Sequence, residues 1–373
     1  MHLSTLSLRI RTWYDGHRRD LPWRGTTDAY RIWLSEIILQ QTRVAQGLDY
    51  YRRFVETYPT VADLAAASED EVLKLWQGLG YYSRARHLHA AARQVMDDFG
   101  GRFPTRRADL LRLSGVGAYT AAAVASFASG EAVAVVDGNV YRVLSRLFDV
   151  DVPINAAEAP RLYQHLADEL LPADDAARHN QAMMELGALC CTPTSPACTE
   201  CPVGDDCIAR AAGTVGQRPR KLARTKVQPR TITYFLFKYN NVLWGRRRPS
   251  GDIWQGLYEY VGVETPDATP DTTSDATQDG TTTLPDPPSP PHAALASALP
   301  AQEHRLIRSV RPIVLGRRHR LTHRLLTIDC WLVEVDGLVH PIGDFLPFTW
   351  AEWSKKAVPK IISDINLQVS GLF

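Results

Sequence analysis

Three absences bound what this sequence can encode. Its 373 residues contain no apolar run of about eighteen residues, so we expect no transmembrane helix and no membrane partner. The N-terminal segment MHLSTLSLRIRTWYDG lacks the apolar core of a signal peptide, which predicts a cytoplasmic chain. A net charge of +1 gives no general attraction to nucleic acid, so DNA binding must be argued from local motifs.

Strand-like alternation is also missing from the first part of the chain. Residues 1–212 instead carry apolar side chains at helical spacing, interrupted by Gly, Pro and Asn. The segments with this spacing are Asp28–Gln41, Glu69–Gln77, Ser83–Asp97, Arg107–Leu113, Tyr119–Ala128, Val140–Phe148 and Ala156–Leu171. The pattern predicts an all-α first domain over residues 1–212.

Residues 213–230 have few apolar side chains and no clear period, which predicts a linker between two domains. Six cationic residues and no acid lie between Arg218 and Arg230. Two interpretations are open: the linker is simply solvated, or it lies against a DNA backbone.

After the linker the pattern changes, and residues 231–373 predict an α+β second domain. Strand-like segments occupy Thr231–Lys238, Asn241–Gly245 and Leu325–Val335, and the region 346–367 ends in a helix. Residues 264–293 are rich in Thr, Asp and Pro and contain no Lys or Arg. Such a stretch buries too little apolar surface to offset its ordering entropy, so we expect a disordered insertion there.

Cysteine is scarce, but five of the six cysteines lie within residues 190–207. In a cytoplasmic chain such a group favours metal or redox chemistry over disulfides. Four of them form the pattern Cys191-x6-Cys198-x2-Cys201-x5-Cys207. Four soft thiolates suit an iron–sulfur cluster. Zinc is the alternative, although its usual fingers pair two C-x2-C hooks and this pattern has one.

Two glycines, Gly115 and Gly117, lie between two predicted helices in the segment LSGVGAYT. They allow a sharp turn whose N–H groups can approach a phosphate, helped by the positive end of the next helix. A plain helical hairpin is the alternative. About twenty residues later, the segment VDGNV contains Asp137 and Asn139. Asp137 fits a helix N-cap, a position that also holds a carboxylate rigidly at a cleft, where Asn139 would orient it.

The helix around Glu36 is apolar on nearly all sides, and Ile32, Glu36 and Leu39 share one face. Burial raises the pKa of a carboxyl, which would keep Glu36 protonated as a general acid. A partly buried Glu paired with a cation is the alternative. Glu36 and Asp137 thus form a pair of carboxyls in different surroundings. Glycoside cleavage needs this asymmetry: one acid for the leaving group and one anion for the oxocarbenium-like sugar.

Two of these motifs together resemble the endonuclease III superfamily of DNA glycosylases. The cysteine pattern, residues 191–207, is similar to the iron–sulfur loop that closes its helical domain. The glycine turn, about residues 107–128, resembles its helix–hairpin–helix, with Ser114 where a proline is usual. The resemblance implies one [4Fe-4S] cluster held by the four cysteines of the pattern.

Within this superfamily the chain is most similar to the MutY-type adenine DNA glycosylases, over almost its whole length except residues 264–293. The segments that carry the resemblance are Leu21–Arg24, Trp33–Thr42, Gly78–Arg86 and Asn180–Gly187. The resemblance implies an adenine pocket formed by Leu21, Trp23, Arg24 and Gln181. It also implies that Gln41 and Tyr81 wedge into the base stack from which adenine is extruded.

A lysine is absent where it would change the chemistry. The lyase branch of the superfamily, which includes endonuclease III, has a Schiff-base lysine where this chain has Tyr119, and tyrosine cannot form a Schiff base. The resemblance therefore implies a monofunctional glycosylase, with Tyr119 hydrogen-bonded near the sugar or the catalytic acid. The alternatives are a bifunctional glycosylase for pyrimidine lesions and a non-catalytic iron–sulfur DNA-binding protein.

The second domain resembles the Nudix-like C-terminal domain of the same family. Residues 231–373 lack the Glu-rich Nudix box that binds Mg²⁺, so pyrophosphate hydrolysis is not expected. The family's Phe-Ser-His recognition loop corresponds to Leu321, Thr322 and His323. The Thr322 hydroxyl could pair with N7–H or O8 of 8-oxoguanine. A basic patch that touches phosphates is the alternative. The resemblance implies a monomer at the nucleoid, bound to double-stranded DNA with an adenine:8-oxoguanine or adenine:guanine mispair.

Overall fold

The computed structural model describes residues 2–223, 227–265, 291–338 and 340–373. The chain forms two compact units, of which the first contains residues 1–75 and 83–224. The second contains residues 76–82 and 225–373. Of the predicted insertion 264–293, the first two residues end a strand and the last three lie at the start of a helix. The rest of that insertion lies outside the described residues.

The first unit is built from helices, as the sequence pattern predicted, and its described residues contain no strand. The helices are α1 Leu3–His17, α2 Ala29–Leu39, α3 Val44–Thr57, α4 Val61–Ala66, α5 Glu69–Trp76, α6 Ser83–Phe99, α7 Arg107–Leu110, α8 Ala118–Ser129, α9 Gly138–Leu147, α10 Ala159–Leu170, α11 Ala176–Leu189 and α12 Ile208–Ala211. Within the described ranges, no helix of either unit has the length and apolar character needed to cross a bilayer.

Caps and glycines set the ends of two helices that carry the site. Asp28 begins α2 by accepting hydrogen bonds from the N–H groups of Tyr30 and Arg31. Gly117 precedes α8, and Gly130 ends that helix with φ at 73°, a left-handed conformation that glycine adopts without strain. Asp28 and Gly130 supply partners for backbone groups that a helix leaves unpaired, and they define the start of α2 and the end of α8.

Buried side chains of α1, α9, α10 and α11 form one core in this unit. Leu6, Ile10, Leu144, Tyr163 and Leu186 are among its fully buried members. The cysteine loop packs on the same core through Cys190 and Val203. The helix that begins after Asp137 and the cysteine loop therefore share one apolar support.

The second unit is α+β, again as predicted, and contains a six-stranded sheet in the order β4-β5-β1-β3-β2-β6. The strands are β1 Gln228–Tyr239, β2 Val242–Arg247, β3 Tyr258–Thr265, β4 Ile307–Arg320, β5 Arg324–Val335 and β6 Leu346–Thr349. The helices are α13 His292–Ala298, α14 Trp350–Ser354 and α15 Lys360–Val369. Strands β1 and β5 run parallel, and the other neighbours are antiparallel.

Strand β1 supplies both faces of this sheet with apolar side chains. Tyr234 and Leu236 join the core cluster that contains residues of α14 and α15, whereas Phe235 and Phe237 join the cluster that contains Leu295 of α13. Successive side chains of a strand point to opposite faces, so one strand can serve two cores. This explains why the segment reads as a continuous apolar run.

Two arginines of the basic segment form ion pairs within the first unit. Arg218 forms ion pairs of 2.9 Å with Asp149 and with Asp151, and Arg220 pairs with Asp151 at 2.5 Å. Strand β1 begins at Gln228, so it takes in the last three residues of the predicted linker. Two of the cationic residues that suggested a DNA contact therefore already neutralise acids of their own unit.

Candidate active site

A cleft of about 480 Å³ opens in the first unit. Side chains of α2, α8, α9 and α11 line it, together with the segment that precedes α2. Nine residues that the sequence singled out are among the lining residues: Leu21, Trp23, Arg24, Glu36, Gln41, Tyr119, Asp137, Asn139 and Gln181. The fold thus gathers residues from distant parts of the chain into one cavity.

Glu36 is only 7% exposed, with apolar Ile32 and Leu39 beside it in the cleft wall. Burial raises its pKa from 4.5 to about 7; a hydrogen bond from Tyr119 opposes the rise, and the nearby Asp137 adds to it. The Tyr119 hydroxyl donates to Oε2 of Glu36 at 2.5 Å. No cation is among the described groups that shift this pKa, which disfavours the alternative of a cation-paired glutamate. A carboxyl that titrates near neutral pH can both give and take a proton.

Asp137 is the N-cap of α9, and it also lines the cleft. Its Oδ1 accepts hydrogen bonds from the N–H groups of Asn139 and Val140 at 2.9 and 2.8 Å. Its Oδ2 accepts from Nδ2 of Asn139 at 2.7 Å. Burial raises the pKa of Asp137, while these hydrogen bonds oppose the rise. The cap and the cleft carboxylate are therefore the same group, held by three donors.

A chain of hydrogen bonds runs from Asp137 to the cysteine loop. Nη2 of Arg142 donates to Oδ1 of Asn139 at 2.9 Å and to the carbonyl of Gly187 at 2.6 Å. Nε of Arg142 donates to the carbonyl of Cys191 at 2.8 Å. Arg142 therefore links the Asn139 amide, which orients Asp137, to the backbone of the cysteine loop.

A second buried acid, Glu185 on α11, also lines the cleft, and sequence reasoning missed it. Its side chain is fully buried and accepts paired hydrogen bonds from Arg24 and from Arg19, at 2.6 to 3.0 Å. Burial pushes the pKa of Glu185 up, but the two arginines outweigh it and hold the pKa at about 2. Glu185 lies one helical turn after Gln181 on α11, but nothing in that segment indicates the two distant arginines that fix its charge.

Other cleft residues are held by specific neighbours. The Tyr14 hydroxyl donates to Oε1 of Gln181 at 2.5 Å, which fixes the orientation of that amide. The ring of Trp23 packs edge-on against Tyr51, with centroids 5.1 Å apart. Gln41 is exposed at the end of α2, and its φ is 55°. Gln181 and Trp23 are therefore held by neighbouring side chains, whereas Gln41 lies exposed at the rim of the cleft.

The glycine turn has the predicted hairpin form, between α7 and α8. Gly115 has φ of 71°, and a Cβ there would lie 2.6 Å from Cβ of His87. A side chain at this position is therefore excluded both by the backbone conformation and by lack of space. A Cβ on Gly117 would meet no atom within 4 Å. The N-terminus of α8 is thus open to a close approach, as phosphate binding requires.

The four cysteines of the predicted pattern line one cavity, which Cys190 also touches. Nη1 of Arg146 lies 3.4 Å from Sγ of Cys191 and donates to the Thr192 carbonyl at 2.7 Å. Within the described residues no three His, Cys, Asp or Glu side chains converge as ligands of one metal ion. Four thiols that surround one cavity suit a multinuclear cluster, in which each cysteine binds a separate iron.

Comparison with known proteins matches both parts of this unit. Residues 34–169 match the HhH-GPD superfamily of base excision DNA repair proteins, and residues 191–207 match the iron–sulfur binding domain of endonuclease III. An adenine DNA glycosylase of Mycolicibacterium smegmatis is 41% identical over 236 residues, which are 61% of this chain and 78% of that protein. The chain belongs to the adenine DNA glycosylase family.

Other relatives match a little more than half of the chain. The human adenine DNA glycosylase is 47% identical over 213 residues, 53% of this chain. This chain spans 38% to 41% of the length of the human, mouse and rat members. A solved structure of a thermostable thymine-DNA glycosylase is 32% identical, with a TM-score of 0.52, and matches 56% of this chain and 97% of that protein.

The iron–sulfur match identifies the cofactor of this family member as a [4Fe-4S] cluster. The matched range begins at Cys191 and ends at Cys207, so it contains the predicted pattern and excludes Cys190. Sγ of Cys207 also lies 3.2 Å from the Arg146 carbonyl, so Arg146 contacts the loop through both side chain and backbone. The donor set fits a cluster of four irons and four sulfides, and its surroundings tie it to α9.

In the second unit, the three residues predicted to read the lesion, Leu321, Thr322 and His323, lie in the turn between β4 and β5. The turn is closed by a hydrogen bond of 2.8 Å from Leu321 N–H to the Arg324 carbonyl, and Thr322 and His323 are exposed. Tyr81 belongs to the same unit, and its hydroxyl lies 2.9 Å from Oγ1 of Thr322. Two residues predicted for different roles thus share a hydrogen bond, while Tyr81 is absent from the cleft lining.

Proposed function

We propose that this chain is a monofunctional DNA glycosylase that removes adenine mispaired with 8-oxoguanine or guanine during base excision repair. The observation that carries the proposal is the contact between Glu36 and Tyr119: a buried acid with a pKa of about 7 meets a phenol and not an amine. Membership of the adenine DNA glycosylase family supports adenine as the base and DNA as the partner.

Glu36 is the general acid of the proposed reaction. Adenine is a poor leaving group until a ring nitrogen is protonated, so Glu36 donates its proton while the bond from the base to C1′ breaks. The bonding electron pair leaves with the base, and positive charge remains on the sugar. Burial holds the pKa of Tyr119 well above 10, so its hydroxyl stays a donor and orients Oε2 of Glu36.

Asp137 provides the negative charge that this sugar cation needs. The N–H groups at the start of α9 and the Asn139 amide favour the ionised form of Asp137 against its burial. The carboxylate stabilises the cation or captures it transiently. Water then adds to C1′ and gives its proton to Glu36, which returns the acid to its starting form. The products are free adenine and an abasic strand.

The remaining predicted residues bind rather than react. Leu21, Trp23 and Gln181 line the adenine pocket. Arg24 forms part of the pocket wall, and Glu185 neutralises the charge of Arg24. Backbone N–H groups around Gly115 and Gly117 take a DNA phosphate. Gln41 and Tyr81 enter the base stack, and Thr322 with His323 reads the base opposite adenine.

The test uses duplexes with adenine opposite 8-oxoguanine, guanine or thymine, under single-turnover conditions. We expect adenine release, fastest opposite 8-oxoguanine, and a product strand that breaks only after hot alkali. Borohydride should trap no covalent complex, because no lysine is among the described residues that line the cleft. Strand cleavage without alkali together with a trapped complex would instead assign the bifunctional class. Tight binding without base release would identify a non-catalytic DNA-binding protein.

A further inference from the structure

The turn that follows α2 carries Gln41, the residue that our proposed function places in the base stack. The backbone of Gln41 has φ of 55°, in the left-handed region that residues other than glycine rarely occupy. Such a conformation persists only where the surrounding contacts over-determine it. The structure must therefore contain a group that holds this turn.

Arg84, near the start of α6, is that group. It is a buried arginine, and its Nη1 donates to three carbonyls: Ile37 at 2.8 Å, Ile38 at 3.0 Å and Gln40 at 2.7 Å. The last four carbonyls of a helix have no partner inside the helix, and a cation at that end also favours the helix dipole. One guanidinium thus closes α2 and holds the residue immediately before Gln41.

The turn is also fixed from a second side. Nε2 of Gln40 donates to Oγ1 of Thr120 at 3.3 Å, and Thr120 is buried on α8 beside Tyr119. The carbonyl of Gln40 is therefore hydrogen-bonded to α6, and its side chain is hydrogen-bonded to α8. These two contacts leave Gln41 as the exposed residue of a rigid corner.

We propose that Arg84 is a positioning residue for base extrusion: by holding the carbonyls at the end of α2, it sets the left-handed turn from which Gln41 enters the DNA. The inference rests on the proposed function, because it assumes that Gln41 acts in the base stack. Arg84 does not line the cleft, so it acts through Gln41 and not on the glycosidic bond. Its loss should slow extrusion of adenine and spare the chemical step.

The test compares two duplexes that both contain adenine opposite 8-oxoguanine. In the second, abasic analogues replace the two bases that flank adenine, so that leaving the stack costs less. We expect Arg84→Met to lower the single-turnover rate about 10-fold to 100-fold on the first duplex and less than about 3-fold on the second, each relative to wild type. Arg84→Lys keeps a cation and hydrogen-bond donors, and it should recover part of the loss. Arg93→Met, an exposed position on the same helix, is the matched control.

A double-variant cycle separates positioning from general stability. Gln41→Ala should show the same dependence on the duplex, and adding Arg84→Met to it should cost less than about 3-fold more, because both changes remove one function. Equal losses on both duplexes, or fully multiplicative losses in the double variant, would overturn the proposal. If Arg84→Met does not fold, Arg84→Lys carries the same comparison. Failure of the wild type to excise from either duplex would instead refute the proposed function.

Discussion

Two buried glutamates line the same cleft, and their neighbours give them opposite character. Burial raises the pKa of Glu36 to about 7, and a hydrogen bond from the Tyr119 hydroxyl opposes the rise. Burial also pushes the pKa of Glu185 up, but hydrogen bonds from Arg24 and Arg19 hold it at about 2. Glu36 therefore exchanges a proton near neutral pH, whereas Glu185 remains an anion.

The comparison shows that burial alone does not assign a role to an acid. A buried carboxyl with two guanidinium partners is a fixed charge that joins α11 to the segment before α2. A buried carboxyl with a phenol partner can release and bind a proton in the cleft near neutral pH. Removing either acid should therefore harm the protein in a different way, in chemistry for Glu36 and in stability for Glu185.

The largest effect should come from Glu36→Gln, which keeps the shape of the side chain but cannot deliver a proton. We expect the single-turnover rate of adenine release to fall by about 10²- to 10⁴-fold, the usual contribution of a general acid. Binding to the mispaired duplex, measured by fluorescence anisotropy, should change little. Glu169→Gln, at an exposed position on α10, is the control. Near-normal excision by Glu36→Gln would remove Glu36 from the mechanism.

Glu185→Gln should act mainly on stability, because it leaves two arginines without their buried counter-ion. Breaking a buried ion pair typically costs about 3–5 kcal/mol. We expect about 3 kcal/mol in the free energy of unfolding, since Arg19 is 37% exposed and water relieves part of its loss. Urea unfolding of Glu185→Gln, Glu36→Gln and wild type measures this. An equal loss in Glu36→Gln would abolish the distinction between the two acids.

The two acids should also make the free energy of unfolding depend on pH with slopes of opposite sign. The folded pKa of Glu36 lies above its usual 4.5, so the folded state holds the extra proton and stability falls as pH rises from about 4.5 to 7. The folded pKa of Glu185 lies below 4.5, so its contribution is present above that pH and is lost as pH falls towards about 2. Unfolding curves at several pH values should show each slope disappear in the matching Gln variant. A slope that survives in its own variant would belong to another group.

Sequence reasoning found Glu36 and missed Glu185 for a physical reason. An acid on an otherwise apolar helix is visible in a short window, and Asp137 is visible as a helix cap in the same way. The partners of Glu185 lie more than 160 residues earlier in the chain, so no local pattern joins them. Arg84 was hidden similarly, because its three acceptors are backbone carbonyls of a different helix.

The fold shows the same limit. Helices of the first unit follow from periodicity, and the buried strands β1 and β5 follow from their apolar runs. Strand β4, Ile307–Arg320, was not predicted, because it is a sheet edge rich in arginine and its pairing with β5 shifts register at three places. Such irregularities break the period of two by which strands are recognised. Edges and long-range ion pairs therefore needed the structure.

The smallest expected effect concerns Tyr119, which modulates the proton of Glu36. The proposed mechanism needs Glu36 protonated, so the wild-type rate should fall about tenfold per pH unit above its pKa of about 7. The Tyr119 hydrogen bond lowers that pKa, so Tyr119→Phe should raise it and move the alkaline limb to higher pH. Loss of one hydrogen bond should slow the reaction about 5-fold at neutral pH, corresponding to about 1 kcal/mol. The ratio of variant to wild-type rate should therefore rise with pH.

Single-turnover rates of wild type and Tyr119→Phe, measured from acid to alkaline pH on the adenine:8-oxoguanine duplex, test this. Tyr50→Phe changes another tyrosine of the same unit that does not line the cleft, and it should leave the profile unmoved. An alkaline limb that stays in place in Tyr119→Phe would show that the titrating group is not Glu36. A limb that moves to lower pH would contradict the direction in which this hydrogen bond acts. A shift to higher pH in Tyr119→Phe that is absent in Tyr50→Phe would mean that the Tyr119 hydroxyl adjusts the pKa of Glu36 and is not itself the proton donor.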